Sequence, residues 1–181
     1  MSEFQPWVEY PHIWNTQAKF MSWVRGGVRL GLWKQHPVKL EFLKASTTLI
    51  ENHNPRSMKR FPMVKAVTCA LCKETVKASE AEVDHIHGNH SLKSMDDLRS
   101  FIESMIIVKM SDLQIACKPC HKIKSYSERE GISFEHARAI KRAIEICKNK
   151  QDKQFLIERG IKPAASAAAR RTQVENILKD E

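Results

Sequence analysis

Four of the five cysteines form two Cys-x-x-Cys pairs, Cys69/Cys72 and Cys117/Cys120; the fifth, Cys147, stands apart. A turn of this kind lets two thiolates face one ion, and two such turns complete a tetrahedral four-sulfur zinc site. Here 44 residues lie between the pairs, more than the ~15–20 of a simple zinc ribbon. The intervening segment is therefore expected to be a folded insert with zinc clasping its two ends, and Pro119 would stiffen the second turn. Such a site supplies folding free energy on the order of 10 kcal/mol, large beside a net stability of about 5–15 kcal/mol. Four thiolates fill the zinc shell, so this metal is expected to be structural. A redox Cys-x-x-Cys would need one pair and a thioredoxin-like setting, and the sequence offers neither.

Between the pairs runs Glu82-Val83-Asp84-His85-Ile86-His87-Gly88-Asn89-His90. Asp84 and His85 suit phosphodiester hydrolysis. A carboxylate binds a hard divalent cation, which stabilises charge on the phosphate and the leaving oxygen. A neighbouring neutral histidine can take the proton of the attacking water. Val83 and Ile86 predict a short strand. Adjacent side chains on a regular strand point to opposite faces, so the strand must end or bend if Asp84 and His85 share a site. Gly88-Asn89 supplies turn chemistry nearby. His121 directly follows the second cysteine pair and opens His-Lys-Ile-Lys-Ser-Tyr, which reads as a helix start. Next to a metal-bound Cys120 it would be held firmly, as a second ligand of the catalytic cation should be. An Asp-His dipeptide alone says little; its place between two cysteine knuckles gives it weight.

The flanking elements must position these residues. All four tryptophans, Trp7, Trp14, Trp23 and Trp33, fall near the N-terminus, where residues 17–24 and 38–50 read as helices. Gly26-Gly27 and His36-Pro37 punctuate them. The tryptophans read as packing residues, and Arg25 and Arg29 as phosphate contacts. Residues 51–62 are polar, hold two prolines and read as a loop. Residues 133–149 read as a helix with Ser133 as N-cap and Ala137, Ile140, Ile144 and Cys147 on one face. Gly160 and Pro163 separate two shorter helices, about 152–159 and 164–179, the second carrying Arg170-Arg171. Helix, turn, helix with a basic end has the form of a DNA-reading element; a solvated basic helix explains the same residues more simply. The division expected is an aromatic, basic helical segment (1–62), the chemical core (63–127) and a basic helical extension (128–181).

The 181 residues allow one core with extensions. Thirty Lys+Arg against 21 Asp+Glu leave +9 and a pI near 9.4, a balance that favours a polyanionic partner, most simply nucleic acid. By thirds, residues 1–60, 61–125 and 126–181 carry nets of +5, +1 and +3: basic flanks around a nearly neutral centre, as carboxylates gathered at a metal would give. No apolar run approaches the ~18–20 residues that span a bilayer, and the N-terminus lacks the look of a signal peptide. No membrane partner and a cytoplasmic location are expected, a compartment where disulfides are rare and where Cys147 serves as a small core residue.

The stretch 69–125 resembles the HNH endonucleases. The pattern is Cys69-x-x-Cys72, Val83-Asp84-His85-Ile86, Leu113-Gln114-x-x-Cys117-Lys-Pro-Cys120-His121, then Lys124. It is most similar to those encoded by bacteriophages, which often share a Ser-Leu-Lys-Ser-x-x-Asp-Leu run, here Ser91 to Leu98, and an upstream Trp/Arg-rich segment like Trp23 to Ala45. The resemblance covers roughly residues 20–125. It implies an α+β fold with a ββα-metal core clasped by the four-cysteine zinc site, and helical N- and C-terminal extensions. It implies DNA as partner, Asp84 and His121 as ligands of a catalytic Mg2+ or Mn2+, and His85 as general base. Cys69, Cys72, Cys117 and Cys120 would hold the zinc, and cleavage would leave a 5′-phosphate and a 3′-hydroxyl. Lys93, Lys122 and Lys124 join Arg25 and Arg29 as candidate nucleic-acid contacts. A phage-encoded enzyme would work in the cytoplasm of its host bacterium, and cutting both strands needs two visits or a homodimer.

The chain departs from the family pattern in three places. Asp112 stands where Asn is common before Leu-Gln, at the position that braces the loop of the base; aspartate accepts the same bonds but cannot donate as an amide does. Gly88 replaces a common Pro, and His90 a common Gly. His87 and His90 read either as extra ligands or as exposed loop histidines. The alternative to a nuclease is a non-catalytic, zinc-based DNA-binding or interaction protein, which would need no convergence of Asp84, His85 and His121.

Overall fold

The computed structural model describes residues 4–88 and 91–180. It is a mixed α+β chain with two small sheets and eight α-helices among the described residues. By contacts it divides into two units, Met1–Cys117 and Lys118–Glu181. Among the described residues no helix is long and apolar enough to cross a membrane.

The first unit opens with a short helix, α1 (Pro6–Glu9), and with α2 (Gln17–Val28). The Thr16 hydroxyl caps α2 by accepting from Lys19 N–H at 3.2 Å. The helix then widens into a π-helical turn, Arg29–Trp33, closed by Lys34 N–H donating to the Arg29 carbonyl at 2.8 Å. Such insertions are rare and often mark functional sites. α3 (Pro37–Ala45) begins with proline at its first position, where the missing N–H costs nothing. The helix expected over 38–50 therefore stops early. Ser46 follows it, and Thr48–Glu51 form a strand, β1, paired antiparallel with β2 (Met63–Thr68). The β-branched Thr48 and Ile50 suit that pleated surface, and the ladder outweighs their helical spacing.

Of the loop expected over 51–62, Glu51 ends β1 and the loop runs over 52–62. Buried Asn52 organises it, donating to the Phe61 carbonyl at 2.7 Å and to Ser57 Oγ at 3.1 Å. β2 pairs in turn with β3 (Thr75–Lys77), and the first cysteine pair is the turn between them. The second sheet is β4 (Ala81–His85) antiparallel to β5 (Leu113–Cys117). The connection between those strands carries α4 (Leu98–Ile106). Two apolar clusters hold the unit. α2 and α4 bury Met21, Leu92, Phe101 and Met105, while Val67, Val83, Leu113 and Ile115 form the underside of the strands, covered by Val38, Phe42 and Leu43 of α3. Trp33 packs against both clusters. Emptying the site of a fully buried ring such as Phe101 would cost about 3–5 kcal/mol.

The second unit is helical: α5 (Lys118–Glu130), α6 (Phe134–Lys148), α7 (Asp152–Ile157) and α8 (Ala167–Asp180). Ser133 caps α6 as expected, its hydroxyl accepting from His136 N–H at 3.1 Å. Ala139, Ala143, Leu156, Val174 and Leu178 make its core. Cys147 is half-buried, and burial raises its thiol above the ordinary value. Arg170 has a structural role. Its guanidinium donates to buried Asp152 at 2.6 Å and to the carbonyls of Ala164 and Ala165 at 3.0 and 2.7 Å, tying the loop before α8 to α7. That hydrogen bond holds the Asp152 carboxyl below its usual range. Of the Arg170-Arg171 pair, Arg170 thus points into the unit, while Arg171 is exposed.

Candidate functional site

The four thiols of the two pairs lie within 4.8 Å of one another. Cys117 ends β5 and Cys120 is in the first turn of α5. The sulfurs are not joined as disulfides. A tetrahedron with metal–sulfur bonds of ~2.3 Å has sulfur–sulfur edges of about 3.8 Å, and Cys72 and Cys117 Sγ are 3.9 Å apart. The donor set and spacing fit a metal ion such as zinc.

Local backbone explains how the thiols come to point inward. The first knuckle closes with Cys69 N–H donating to the Glu74 carbonyl and Lys73 N–H to the Cys69 carbonyl, both at 2.9 Å. Closure puts Lys73 at a positive φ of 65°, and its ammonium returns to the Ala70 carbonyl at 2.7 Å. Ala70 N–H donates to the Ile115 carbonyl at 2.7 Å, fastening the knuckle to β5. Cys117 N–H donates to Cys69 Sγ at 3.3 Å. Burial raises the Cys69 thiol, but N–H groups of Cys72, Cys117 and Leu71 aimed at the sulfur outweigh it, and the net is a fall to about 6. A sulfur set among N–H donors is prepared to carry negative charge, the form in which thiols bind metal.

Asp84 and His85 sit at the other end of the same strand pair. Ala81 lies opposite Cys117, whereas His85 lies opposite Leu113; four residues of strand separate the two ends, about 13 Å. β4 holds both residues, Asp84 opposite Gln114 and His85 opposite Leu113, and ends only after His85; neighbours on such a ladder face opposite sides of the sheet. His85 is held at several points. Its ring stacks on Trp33 with centroids 4.4 Å apart and planes inclined by 22°. Its Nε2 lies 3.0 Å from the Ser104 carbonyl in the last turn of α4. Its own carbonyl accepts from Gln114 Nε2 at 3.2 Å, and the next residue, Ile86, donates its N–H to the Asp112 carbonyl at 2.8 Å.

Asp112 therefore braces the residue after His85 through its main chain. Its carboxylate turns away to accept from Lys109 N–H at 2.9 Å, ahead of the 3-10 turn Met110–Asp112. A cavity of about 480 Å³ opens beside the ring. It is lined by His85, His87, Ser104, Ser111 and Asp112, with Ile86, Ile107 and Val108 as its apolar wall. His87 is exposed at its edge. His90 lies outside the described residues. His121 stands in the first turn of α5, one residue past Cys120.

The candidate cations divide. Arg25 donates to the Leu92 carbonyl at 2.8 Å, tying α2 to the loop before α4. Arg29 lies within electrostatic reach of Asp84. Partial desolvation, then Arg25, hold its guanidinium below the ordinary arginine value, and Asp84 opposes them. Lys93 and Lys122 are exposed. Lys124 is 8% exposed and its ammonium is 2.5 Å from Glu128, which removes it from the solvent-facing cations.

The Ser91 to Leu98 run also acquires a physical reading. The Asp97 carboxylate accepts from the N–H groups of Lys93 and Ser94, each at 2.8 Å, and these bonds lower its pKa. Leu92 is fully buried, and its carbonyl is the one Arg25 holds. The run is thus a closed loop that anchors α4. Sequence reasoning missed Trp33 and Ser104 as neighbours of His85. Trp33 was visible only as one of four tryptophans, and a backbone carbonyl leaves no trace in residue type.

Among the described residues, the cysteines are the group of three or more metal-ligating side chains gathered at one point. Comparison with family models, with curated proteins and with solved structures found no match to this chain.

Proposed function

We propose that this chain is a metal-dependent DNA endonuclease of the HNH type, hydrolysing phosphodiester bonds with His85 as general base. The observation that carries the reading is the state of His85. It ends a strand next in sequence to a carboxylate, is braced on one face and at one nitrogen, and borders an open cavity of mixed polar and apolar lining. A structural histidine has no need of that cavity; a base that must meet water and phosphate does. The pairing supports the same reading: β4 and β5 form an antiparallel pair that leads into α5, with α4 carried in the connection between the strands. In this proposal Asp84 and His121 would hold a divalent cation such as Mg2+ or Mn2+. That ion would supply charge stabilisation at the phosphate and leaving oxygen. The cysteines would hold zinc as a clasp, Arg29 and exposed Lys93 and Lys122 would meet phosphates, and the partner would be DNA in the cytoplasm of a cell.

The test is cleavage of supercoiled plasmid with Mg2+, Mn2+ or EDTA, with His85→Ala in parallel. Metal-dependent nicking or linearisation that the variant lacks is expected. Undiminished cutting by His85→Ala would overturn the assignment of the base. DNA binding that is equal with and without Mg2+, with no cutting in either case, would leave a zinc-held binding protein instead.

A further inference from the structure

The last turn of α4 and the indole of Trp33 enclose His85 in a way that neither the strand pair nor the cysteine clasp requires. A helix ends with carbonyls that have no intrahelical partner. In α4 the Glu103 carbonyl accepts from Ile107 N–H at 2.8 Å. The next exits are met by two histidines. His85 Nε2 is 3.0 Å from the Ser104 carbonyl, and His36 Nε2 is 3.1 Å from the Ile106 carbonyl. Trp33 lies beside both rings, 4.4 Å from His85 and 6.2 Å from His36 between centroids. Lys39 sets its ammonium 4.9 Å from the centre of the same indole.

A carbonyl can only accept. A hydrogen bond to Ser104 therefore requires a proton on His85 Nε2, and in the neutral ring that leaves the lone pair on Nδ1. The stack fixes a second coordinate, the plane of the ring. The π-helical turn that ends at Trp33 re-aims every side chain beyond it relative to α2, and it brings the indole to this position.

We propose that Trp33 is a positioning residue for His85: with the Ser104 carbonyl it fixes the tautomer and ring plane in which Nδ1 meets the attacking water. The proposal rests on the nuclease reading for its catalytic meaning, while the enclosure itself is measurable without any DNA. A misplacement of about 1 Å can cost on the order of 100-fold in rate, so the effect should appear in the chemical step and not in binding.

The experiment uses the full zinc-loaded chain. Long-range 1H–15N correlation on the neutral wild-type protein should show His85 protonated on Nε2, with its ring protons shifted upfield by the indole. Trp33→Leu should abolish the upfield shift and lower single-turnover cleavage about 100-fold, with DNA affinity and zinc content unchanged. Trp33→Phe keeps an aromatic face and should restore most of the rate. A His85 ring protonated on Nδ1 in the wild type overturns the proposal without any variant, so a Trp33→Leu chain that failed to fold would not shelter it. Wild-type cutting rates in a folded Trp33→Leu chain, or rate losses that track lost DNA affinity, also overturn it. A wild-type chain that shows the Nε2 tautomer and cuts no DNA would instead defeat the nuclease reading.

Discussion

The two ends of the β4–β5 pair are built on different physical terms. At one end four thiols converge within 4.8 Å, in a turn closed by backbone hydrogen bonds. At the other, His85 is braced on one side and open to a cavity of about 480 Å³ on the other. A closed set of four donors has no coordination position left and suits stability. An open, oriented imidazole suits chemistry and contributes little to stability. Separated by about 13 Å of strand, the two ends should respond differently to damage.

The sharpest break is expected at the cysteines. Stripping metal with a strong chelator, or replacing Cys72 with alanine, should remove stability on the order of 10 kcal/mol. That is enough to unfold the chain, and far-UV circular dichroism melts would read it. Melts unmoved by either treatment would mean that the fold does not depend on the cluster, and the contrast would vanish. His85→Ala should do the reverse. Cutting should fall by about 10²–10⁴-fold, the usual worth of a general base, while the melt shifts by only about 1–2 kcal/mol for the lost stack and hydrogen bond. Loss of zinc from that variant would show the two ends to be one site.

Asp112→Asn sharpens the contrast inside the His85 end. Asparagine can still accept from Lys109 N–H, and the Ser104 carbonyl is what meets the ring. Cutting should therefore change less than tenfold, the equivalent of about 1.4 kcal/mol. A larger fall would return the bracing role to the Asp112 side chain. The smallest effect is expected at Lys73, whose φ of 65° suits glycine. Relief of that conformation, less the bond to Ala70, should leave Lys73→Gly about 0.5 kcal/mol more stable. A less stable variant would show that the ammonium contact outweighs the backbone strain.

Much of the cysteine end was legible in the chain because its information is local. Spacing within each pair sets the turn, and residue type sets the ligand. The capped helix at Ser133 and the loop over 52–62 were legible for the same reason. Local spacing misled where a non-local partner decided the outcome. Residues 48–51 have helical spacing yet form β1, because β2 offers a ladder. Arg170 reads as a surface cation yet points into its unit, because Asp152 waits there buried. Lys124 is the contrary case, drawn from solvent by Glu128 one turn along the same helix.

By itself the sequence determined the donors: four thiols at turn spacing, an Asp-His pair between them, a histidine after the second turn and a basic surround. These depend on residue identity and on a few bonds of separation, which a linear chain specifies directly. Only the tertiary structure decided how the imidazole is held. Trp33, Ser104 and Gln114 reach His85 from three separate stretches of chain. One contributes a ring face, one a main-chain carbonyl and one an amide. Such contacts arise when α2, α4 and the strand pair pack around common clusters, and no spacing rule along the chain encodes them.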